Sequence, residues 1–591
     1  MNTSLVDPTL DTSTWVDLLR SRAIQQPEQK VFHFLGYEES QDSSMTYGEL
    51  DRRARAIAAP LQALGVVGQR VMIMYPPGID YITAFFGCLY AGATAVPTYP
   101  PRAKRNLSLH RLQHIIKDAQ PVVGLTTPEI LATLKNGAEA APLVTQLHWL
   151  TSYAHTAGAE DFWQETHNES DTLAYLQYTS GSTGSPKGVM VTHGNLLHNA
   201  KLSREHFEFH PGTHMVSWVP PYHDLGLILD ILQPIYTGFL VTFMSPFSFV
   251  QHPLRWLHVI SDFKGTATCA PNFAYELCSN KVTDADLATL DLSSLEWAGN
   301  IAEPVRSTTI ERFCKIFAPC GLRPEALYPA YGLAEATLFA TGGMRAAQSI
   351  YLPIQKSALE RQQVVPAAPE CDDAYTLVGC GHVLGGQKVI VVDPKTCIEL
   401  PPEQIGEIWI AGPSVTQGYW NKPEATAEVF DAHLANTGEG PFLRSGDLGF
   451  FKEEEIYVTG RRKDVIIVDG RNHYPQDIEL TAGTSHPAIR PGLCVAFSVD
   501  IEDQEQLVVI AEIDQRYCPT GRSHASGTPL DPQAVIKAIR QSISEQHDVH
   551  AHQILLLKPE GIQKTSSGKV KRRTCRTDYL LGDLDAWAWG A

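Results

Sequence analysis

Thr179-Ser-Gly-Ser-Thr-Gly-Ser-Pro-Lys187-Gly188 is the strongest local signal in the chain, and the apolar, strand-like stretch from Leu173 to Tyr178 leads into it. Small residues let backbone N–H groups and hydroxyls crowd around phosphate oxygens, and Lys187 adds a positive charge. It is not a Walker A loop, because Pro186 rather than glycine precedes the lysine. A Ser/Gly loop with no function is the plain alternative. The density of the run and its Pro-Lys-Gly ending favour phosphate binding at the end of a strand.

Outward from this loop the pattern alternates. Thr46-x-x-Glu49 reads as a capping box, and Leu50, Ala54, Ile57, Leu61 and Leu64 step at helical spacing up to Gly65. Pro60 sits inside that pattern and predicts a kink. A strand-like run from Val71 to Tyr75, an apolar helix from Ile79 to Tyr90 and another strand-like run near Val96 follow. Such alternation implies a parallel sheet with helices on its faces, an α/β architecture. Short strand patterns recur at Lys388 to Val392 and Glu407 to Ala411. The polar break Gly460-Arg-Arg-Lys-Asp464 predicts a hinge, with a large domain over 1–459 and a small one over 460–591. The stretch from about Met344 to Tyr375 reads as an insertion or a surface loop, and the run near Gly521 as a mobile loop.

Composition narrows the function classes. A chain of 591 residues exceeds a single core, which stops growing at roughly 250–300 residues. A formal net charge of −18 repels nucleic acid, and no basic face with interleaved aromatics offsets it. The 11 cysteines include no C-x-x-C pair, so reduced thiols in a cytoplasmic protein are expected. The start lacks a secretory pattern, and the apolar stretch from Leu225 to Val250 is broken by Asp230, Gln233 and Pro234, so no membrane span is expected.

The phosphate-type loop resembles that of the adenylate-forming superfamily, which includes acyl-CoA synthetases, firefly luciferase and peptide-synthetase adenylation domains. Four further motifs stand in that family's order. Tyr331-Gly332-Leu-Ala-Glu335 resembles its adenine and magnesium motif, and Ser445-Gly-Asp447 its ribose motif. Gly460-Arg461-Arg-Lys463-Asp464 resembles its hinge, and Thr565-Ser-Ser-Gly-Lys569 its catalytic lysine loop. The resemblance implies a large N-terminal domain of several β-sheet subdomains and a small mobile C-terminal α+β domain. It implies ATP as co-substrate, Mg²⁺ on Glu335, and Thr179, Ser180, Gly181, Ser182, Thr183, Gly184 and Lys187 around the phosphates. It places Asn300, Ala302, Tyr331, Gly332, Asp447 and Arg461 around the adenosine, Lys463 at the hinge, and Lys569 with Glu335 and His223 in catalysis. The chemistry suits these residue types: a carboxylate attacking a phosphate needs positioning and charge neutralisation above all.

One branch fits more closely. Pro220-Pro-Tyr-His223-Asp-Leu-Gly-Leu, Met244-Ser-Pro-Phe-Ser-Phe249, Pro271-Asn-Phe-Ala-Tyr275 and Gly470-Arg-Asn-His-Tyr-Pro-Gln-Asp-Ile-Glu479 resemble fatty acyl-AMP ligases. That resemblance implies a fatty acid substrate and transfer of the acyl group to the phosphopantetheine thiol of an acyl carrier protein or carrier domain. It also implies an insertion near 344–376 that restrains the small domain, with Leu359 as its contact. Phe249, Phe273 and Tyr275 are candidates for the acyl slot, with an ordinary aromatic core as the alternative. The basic run Lys564, Lys569, Lys571, Arg572, Arg573 and Arg576 offers a carrier-docking patch or a solvated face. The segment from Ala298 to Val305 resembles the family's adenine-wall segment and departs from it at Ile301, where a β-branched side chain narrows the adenine slot or shifts the backbone. The rival readings are a long-chain acyl-CoA synthetase, an amino-acid adenylation domain with Asp224 on a substrate ammonium, and a non-catalytic binding module.

Overall fold

The computed structural model describes residues 12–36, 42–100, 106–136, 142–151, 158–179, 186–344, 347–468, 471–501, 504–517, 530–565 and 569–590. Among these, two large sheets organise the N-terminal part. One has nine strands, with 297–300, 267–270, 214–217 and 240–244 among its parallel centre. The other has six strands, in which 70–74, 94–98, 123–126 and 173–179 run parallel and 187–192 closes the edge antiparallel. Buried hydrophobic side chains join both sheets to the intervening helices, including Leu50, Phe85, Tyr175, Met215 and Leu229. A four-stranded antiparallel sheet over 388–461 follows.

Local signals in the sequence translate in part. Thr46 caps the helix Tyr47–Ala63 by accepting from the Glu49 N–H, but among the described residues the reciprocal half of the expected capping box is not formed, the Glu49 carboxylate accepting from Arg53 instead; the helix Ile79–Tyr90 is buried along its length. Pro60 lies inside its helix and does not end it; three more helical residues follow, to Ala63, and the Leu64 N–H bonds back to the Pro60 carbonyl. The stretch from Leu225 to Val250 is a buried π-helical segment, a short buried helix, a core strand and then a second short helix, Pro246–Gln251, on which Phe247 and Val250 are exposed, so the expected buried core is not continuous to its end. Among the described residues no helix is long and apolar enough to cross a membrane.

The last strand of the large domain, Glu455–Arg461, runs past Thr459 because Arg461 still pairs with Asp447 on the neighbouring strand. Beyond an exposed turn containing Lys463, a two-stranded sheet over 466–473 leads into the smaller α+β domain. Its four-stranded sheet is backed by the helices Pro475–Thr484 and Pro532–His547. The loop near Gly521 lies outside the described residues.

The stretch near 344–376 forms a hairpin of Tyr351–Gln355 with Ala374–Val378 around a short helix, Lys356–Leu359. Leu359 is buried in a cluster that includes Ile354, Leu377 and Phe450 of the large domain and Tyr474 of the small one. The seam is also polar. The Glu360 carbonyl accepts from the backbone and side-chain amides of Asn472, each at 2.9 Å, and the Tyr375 hydroxyl donates to Asp477 at 2.9 Å. The far end of the loop is tied back, with the Ser357 hydroxyl donating to Asp373 at 2.6 Å.

Gly332 ends a strand where a Cβ would lie 1.7 Å from the Leu338 carbonyl oxygen. Gly332→Ala is therefore expected to destabilise the large domain by about 3 kcal/mol, as backbone overpacking does. A thermal melt checks this, and a midpoint equal to wild type contradicts it.

Candidate active site

In open α/β sheets, ligands bind beyond the carboxyl ends of the parallel strands. Thr179 ends strand 173–179, Asn300 ends 297–300, and Tyr331 and Gly332 end 327–332. The loop with His223 follows strand 214–217. Gly226 permits the tight return of this loop, since a Cβ there would lie 2.3 Å from the Pro220 carbonyl oxygen.

Thr179 and Lys187 face each other as the last pair of an antiparallel ladder, so the small-residue loop is the connection between two strands. Ser180, Gly181, Ser182, Thr183 and Gly184 lie outside the described residues. Lys187 is held over the ring of Tyr419, with Nζ 4.5 Å from its centroid. Burial lowers the Lys187 pKa, against the opposing pull of Glu428. The Tyr419 hydroxyl donates to Glu335 Oε1 at 2.7 Å. Burial first, then the Glu335 charge, push the Tyr419 phenol well above the usual tyrosine range, which keeps it a donor. Burial also raises the Glu335 pKa, while the Tyr419 bond pulls it down. Among the described residues no cluster of three or more acidic, histidine or cysteine side chains forms a metal site. Glu335 nonetheless offers a carboxylate oxygen beside the phosphate-loop lysine. That donor fits Mg²⁺, which takes one or two carboxylates plus substrate phosphates and water.

Asp447 and Arg461 are cross-strand partners in the antiparallel sheet. Asp447 is buried, accepting from Tyr331 Oη at 2.8 Å and from Arg461 Nε at 3.1 Å. The motifs around Tyr331, Asp447 and Arg461 thus converge on one carboxylate. Asn300 is fully buried; its amide donates to Asn272 Oδ1 at 3.1 Å, and among the described residues its Oδ1 has no hydrogen-bond partner. Ile301, expected to narrow the adenine slot or shift the backbone, is buried as part of the large hydrophobic core.

Lys569 comes from the small domain, and its Nζ donates to the Ala302 carbonyl of the large one. Ala302 has φ 74°, a left-handed conformation that directs the chain around this contact. The loop's ends are pinned, with the Thr565 N–H donating to the Lys569 carbonyl at 2.6 Å and the Lys569 N–H to Thr565 Oγ1 at 3.0 Å. Burial lowers the Lys569 pKa; Glu303 and Asp224 oppose it, with Arg461 and Asp447 also in range. Burial alone would raise the Asp224 pKa, but His223 and Lys569 more than offset it and the net shift is downward. His223 Nδ1 lies 2.5 Å from Asp224 Oδ1. Next to His223 is a cavity of about 50 Å³, lined in part by Tyr99, Arg111, Gln177, Tyr178 and Tyr222.

Phe249 stacks flat on Trp218 at 3.8 Å, and Phe273 meets both rings edge-on. Tyr275 is placed in the core instead of a slot. Its hydroxyl donates to the Gly299 carbonyl at 2.7 Å and its ring packs edge-on against Trp256 and Phe313. The basic run is not a free patch either. Arg572 donates to both Glu479 oxygens and to Asp464, Arg573 lies 3.5 Å from Asp464, and Arg576 donates to the Ser498 carbonyl. Those guanidinium groups hold the small domain together. Sequence reasoning missed Tyr419, Glu303 and Trp218; the Gly418-Tyr-Trp420 triplet was a readable signal for the first.

Comparison with known proteins agrees with this geometry. Residues 19–420 match the family described as AMP-binding enzyme, and residues 463–588 the AMP domain described as Disco-interacting protein 2-like. The medium-chain-fatty-acid–[acyl-carrier-protein] ligase JamA of Moorena producens is 43% identical over 97% of this chain and 96% of its own length. A fatty acyl-adenylate ligase from L. pneumophila, solved with acyl adenylate and pyrophosphate, is 39% identical, covers 99% of both chains and superposes with a TM-score of 0.76. A structure from a study of the fatty acyl-adenylate ligases of E. coli and L. pneumophila is 31% identical, covers 97% of this chain and 99% of its own, and has a TM-score of 0.85. The chain belongs to the AMP-binding enzyme family, the adenylate-forming superfamily, among its fatty acyl-AMP ligase-like members.

Proposed function

We propose that this chain joins a fatty acid to AMP with release of pyrophosphate, and then passes the acyl group to the phosphopantetheine thiol of an acyl carrier protein in the cytoplasm. The observation that carries the reading is the reach of Lys569 across the domain seam to Ala302, into the field of Asp224 and Glu303. In the first step a fatty acid carboxylate oxygen forms a bond to the α-phosphorus of ATP while the bond to pyrophosphate breaks. Lys569 stabilises charge on both reacting groups. Asp447 and Arg461 hold the ribose, Tyr331 offers its face to adenine, and Lys187 with the small-residue loop holds the phosphates. His223, oriented by Asp224, borders the carboxylate. Glu335 would hold Mg²⁺, which when bound supplies neutralisation of phosphate charge. In the second step the thiol sulfur attacks the acyl carbonyl, AMP leaves, and the thiol proton passes to solvent.

The carrier, rather than coenzyme A, is favoured by the likeness to JamA and by the seam around Leu359, Glu360 and Tyr375. These contacts hold the small domain in the pose that delivers Lys569. We place the domain boundary just after Arg461, where strand 455–461 ends, with Lys463 in the exposed turn as the pivot. Inhibited rotation disfavours the pose that free coenzyme A needs, and a carrier supplies binding energy to reach its own. A bias of about 3 kcal/mol changes the accessible fraction by roughly a hundredfold. A long-chain acyl-CoA synthetase remains the second reading, since it shares the first half-reaction.

Acid-dependent ATP–pyrophosphate exchange tests the first step. Lys569→Ala is expected to keep its fold and lose about 10²–10³ in exchange rate; near-normal exchange by the folded variant removes the assignment. Asp447→Ala is expected to raise the Michaelis constant for ATP, because ribose contacts serve ground and transition states alike. An unchanged constant contradicts that role. Shortening the 344–376 hairpin is expected to preserve acyl-AMP formation and let acyl-CoA appear. Brisk acyl-CoA synthesis by the intact protein, or none from an adenylating deletion variant, refutes the gating.

A further inference from the structure

Tyr419 stands outside every motif that directs attention to this site, yet it touches two of them. Its hydroxyl donates to Glu335 at 2.7 Å, and its ring lies 4.5 Å beneath the Lys187 ammonium. Among the described residues Lys187 makes no ion pair, so the aromatic face is its near neighbour in place of a carboxylate. A direct Lys187–Glu335 pair would neutralise both groups before ATP arrives. With the tyrosine in contact with each, the cation and the carboxylate are held without an ion pair to one another among the described residues.

The backbone around Tyr419 carries the same link. The segment 417–420 adds to the exposed edge of strand 187–192: the Met190 N–H donates to the Gly418 carbonyl at 2.9 Å, and the Trp420 N–H to the Gly188 carbonyl at 2.8 Å. One residue earlier, the Thr416 N–H donates to the Glu335 carbonyl at 2.9 Å. The Tyr419 N–H is itself fixed on Thr426 Oγ1 at 2.9 Å, and the side chain is 7% exposed. The short segment therefore staples the strand that bears Lys187 to the turn that bears Glu335. Both ends are held by backbone bonds, so the ring and hydroxyl have little freedom of their own.

We propose that Tyr419 is a positioning residue for the adenylation step, its hydroxyl aiming Glu335 at magnesium-bound ATP and its ring restraining Lys187 toward the phosphates. This rests on the adenylation reading above. Two separable consequences follow from the two contacts. Loss of the hydroxyl alone frees Glu335 and acts on the metal-dependent part of nucleotide binding. Loss of the ring as well frees Lys187 and acts on nucleotide binding with or without metal.

The test is ATP binding by calorimetry, with and without Mg²⁺, on wild type, Tyr419→Phe and Tyr419→Leu, with melting curves for each. Tyr419→Phe is expected to reduce the gain in ATP affinity from Mg²⁺ by about tenfold, the scale of a hydrogen bond to a charged group. Its affinity for metal-free ATP should stay within about twofold of wild type. Tyr419→Leu is expected to weaken both. A folded Tyr419→Phe that binds both forms as wild type does, or weakens both equally, overturns the proposal; equal weakening is what a merely structural role gives. Acid-dependent exchange by wild type is measured alongside. Its absence overturns the adenylation reading, and its presence with a silent Tyr419→Phe overturns only the role of Tyr419.

Discussion

The contact between the Lys569 ammonium and the Ala302 carbonyl joins the large domain to the small one. A lysine is costly to bury, and this one is tolerated because Glu303, Asp224 and Asp447 surround its position. Those carboxylates belong to different elements of the large domain. Asp224 and Glu303 lie in loops that follow parallel strands of the nine-stranded sheet, and Asp447 comes from the antiparallel sheet, so the placement of one cation reflects how the two sheets meet. The chemistry assigned to the site needs such a cation. An acid and a triphosphate repel each other until positive charge is set between them.

Rigidity on the nucleotide side comes from register. Asp447 and Arg461 face each other because the two strands that carry them pair over most of their length. Tyr331 reaches the same carboxylate from another sheet. A one-residue slip would send Asp447 to the opposite face of its strand. On the phosphate side the same logic pairs Thr179 with Lys187. The seam differs in kind. It is built from hydrogen bonds and one small apolar cluster around Leu359 and Tyr474.

Much of this was legible in the residues. The phosphate-type loop, the capped helix at Thr46 and the strand patterns at 388–392 and 407–411 are local signals, each decided within about ten residues. Order along the chain then linked five motifs into one site. What was not legible depends on pairs far apart in sequence. Tyr419 and Glu335 are 84 positions apart, and nothing in either local pattern announces the bond. Tyr275 read as a slot residue by its aromatic neighbours, but its hydroxyl found the Gly299 carbonyl in the core. Arg572 read as part of a basic face, because the carboxylates that claim it come from Asp464 and Glu479, far upstream.

The central claim is that a carboxylate oxygen of the acid attacks the α-phosphorus, and the fate of that oxygen tests it directly. Fatty acid labelled with oxygen-18 in its carboxylate is incubated with the protein, ATP and a holo carrier protein, and the AMP is recovered after acyl transfer. The account predicts that each AMP carries one labelled oxygen, since thiol attack at the carbonyl leaves the bridging oxygen on phosphorus. Unlabelled AMP, or label found in inorganic phosphate alongside ADP, would contradict it.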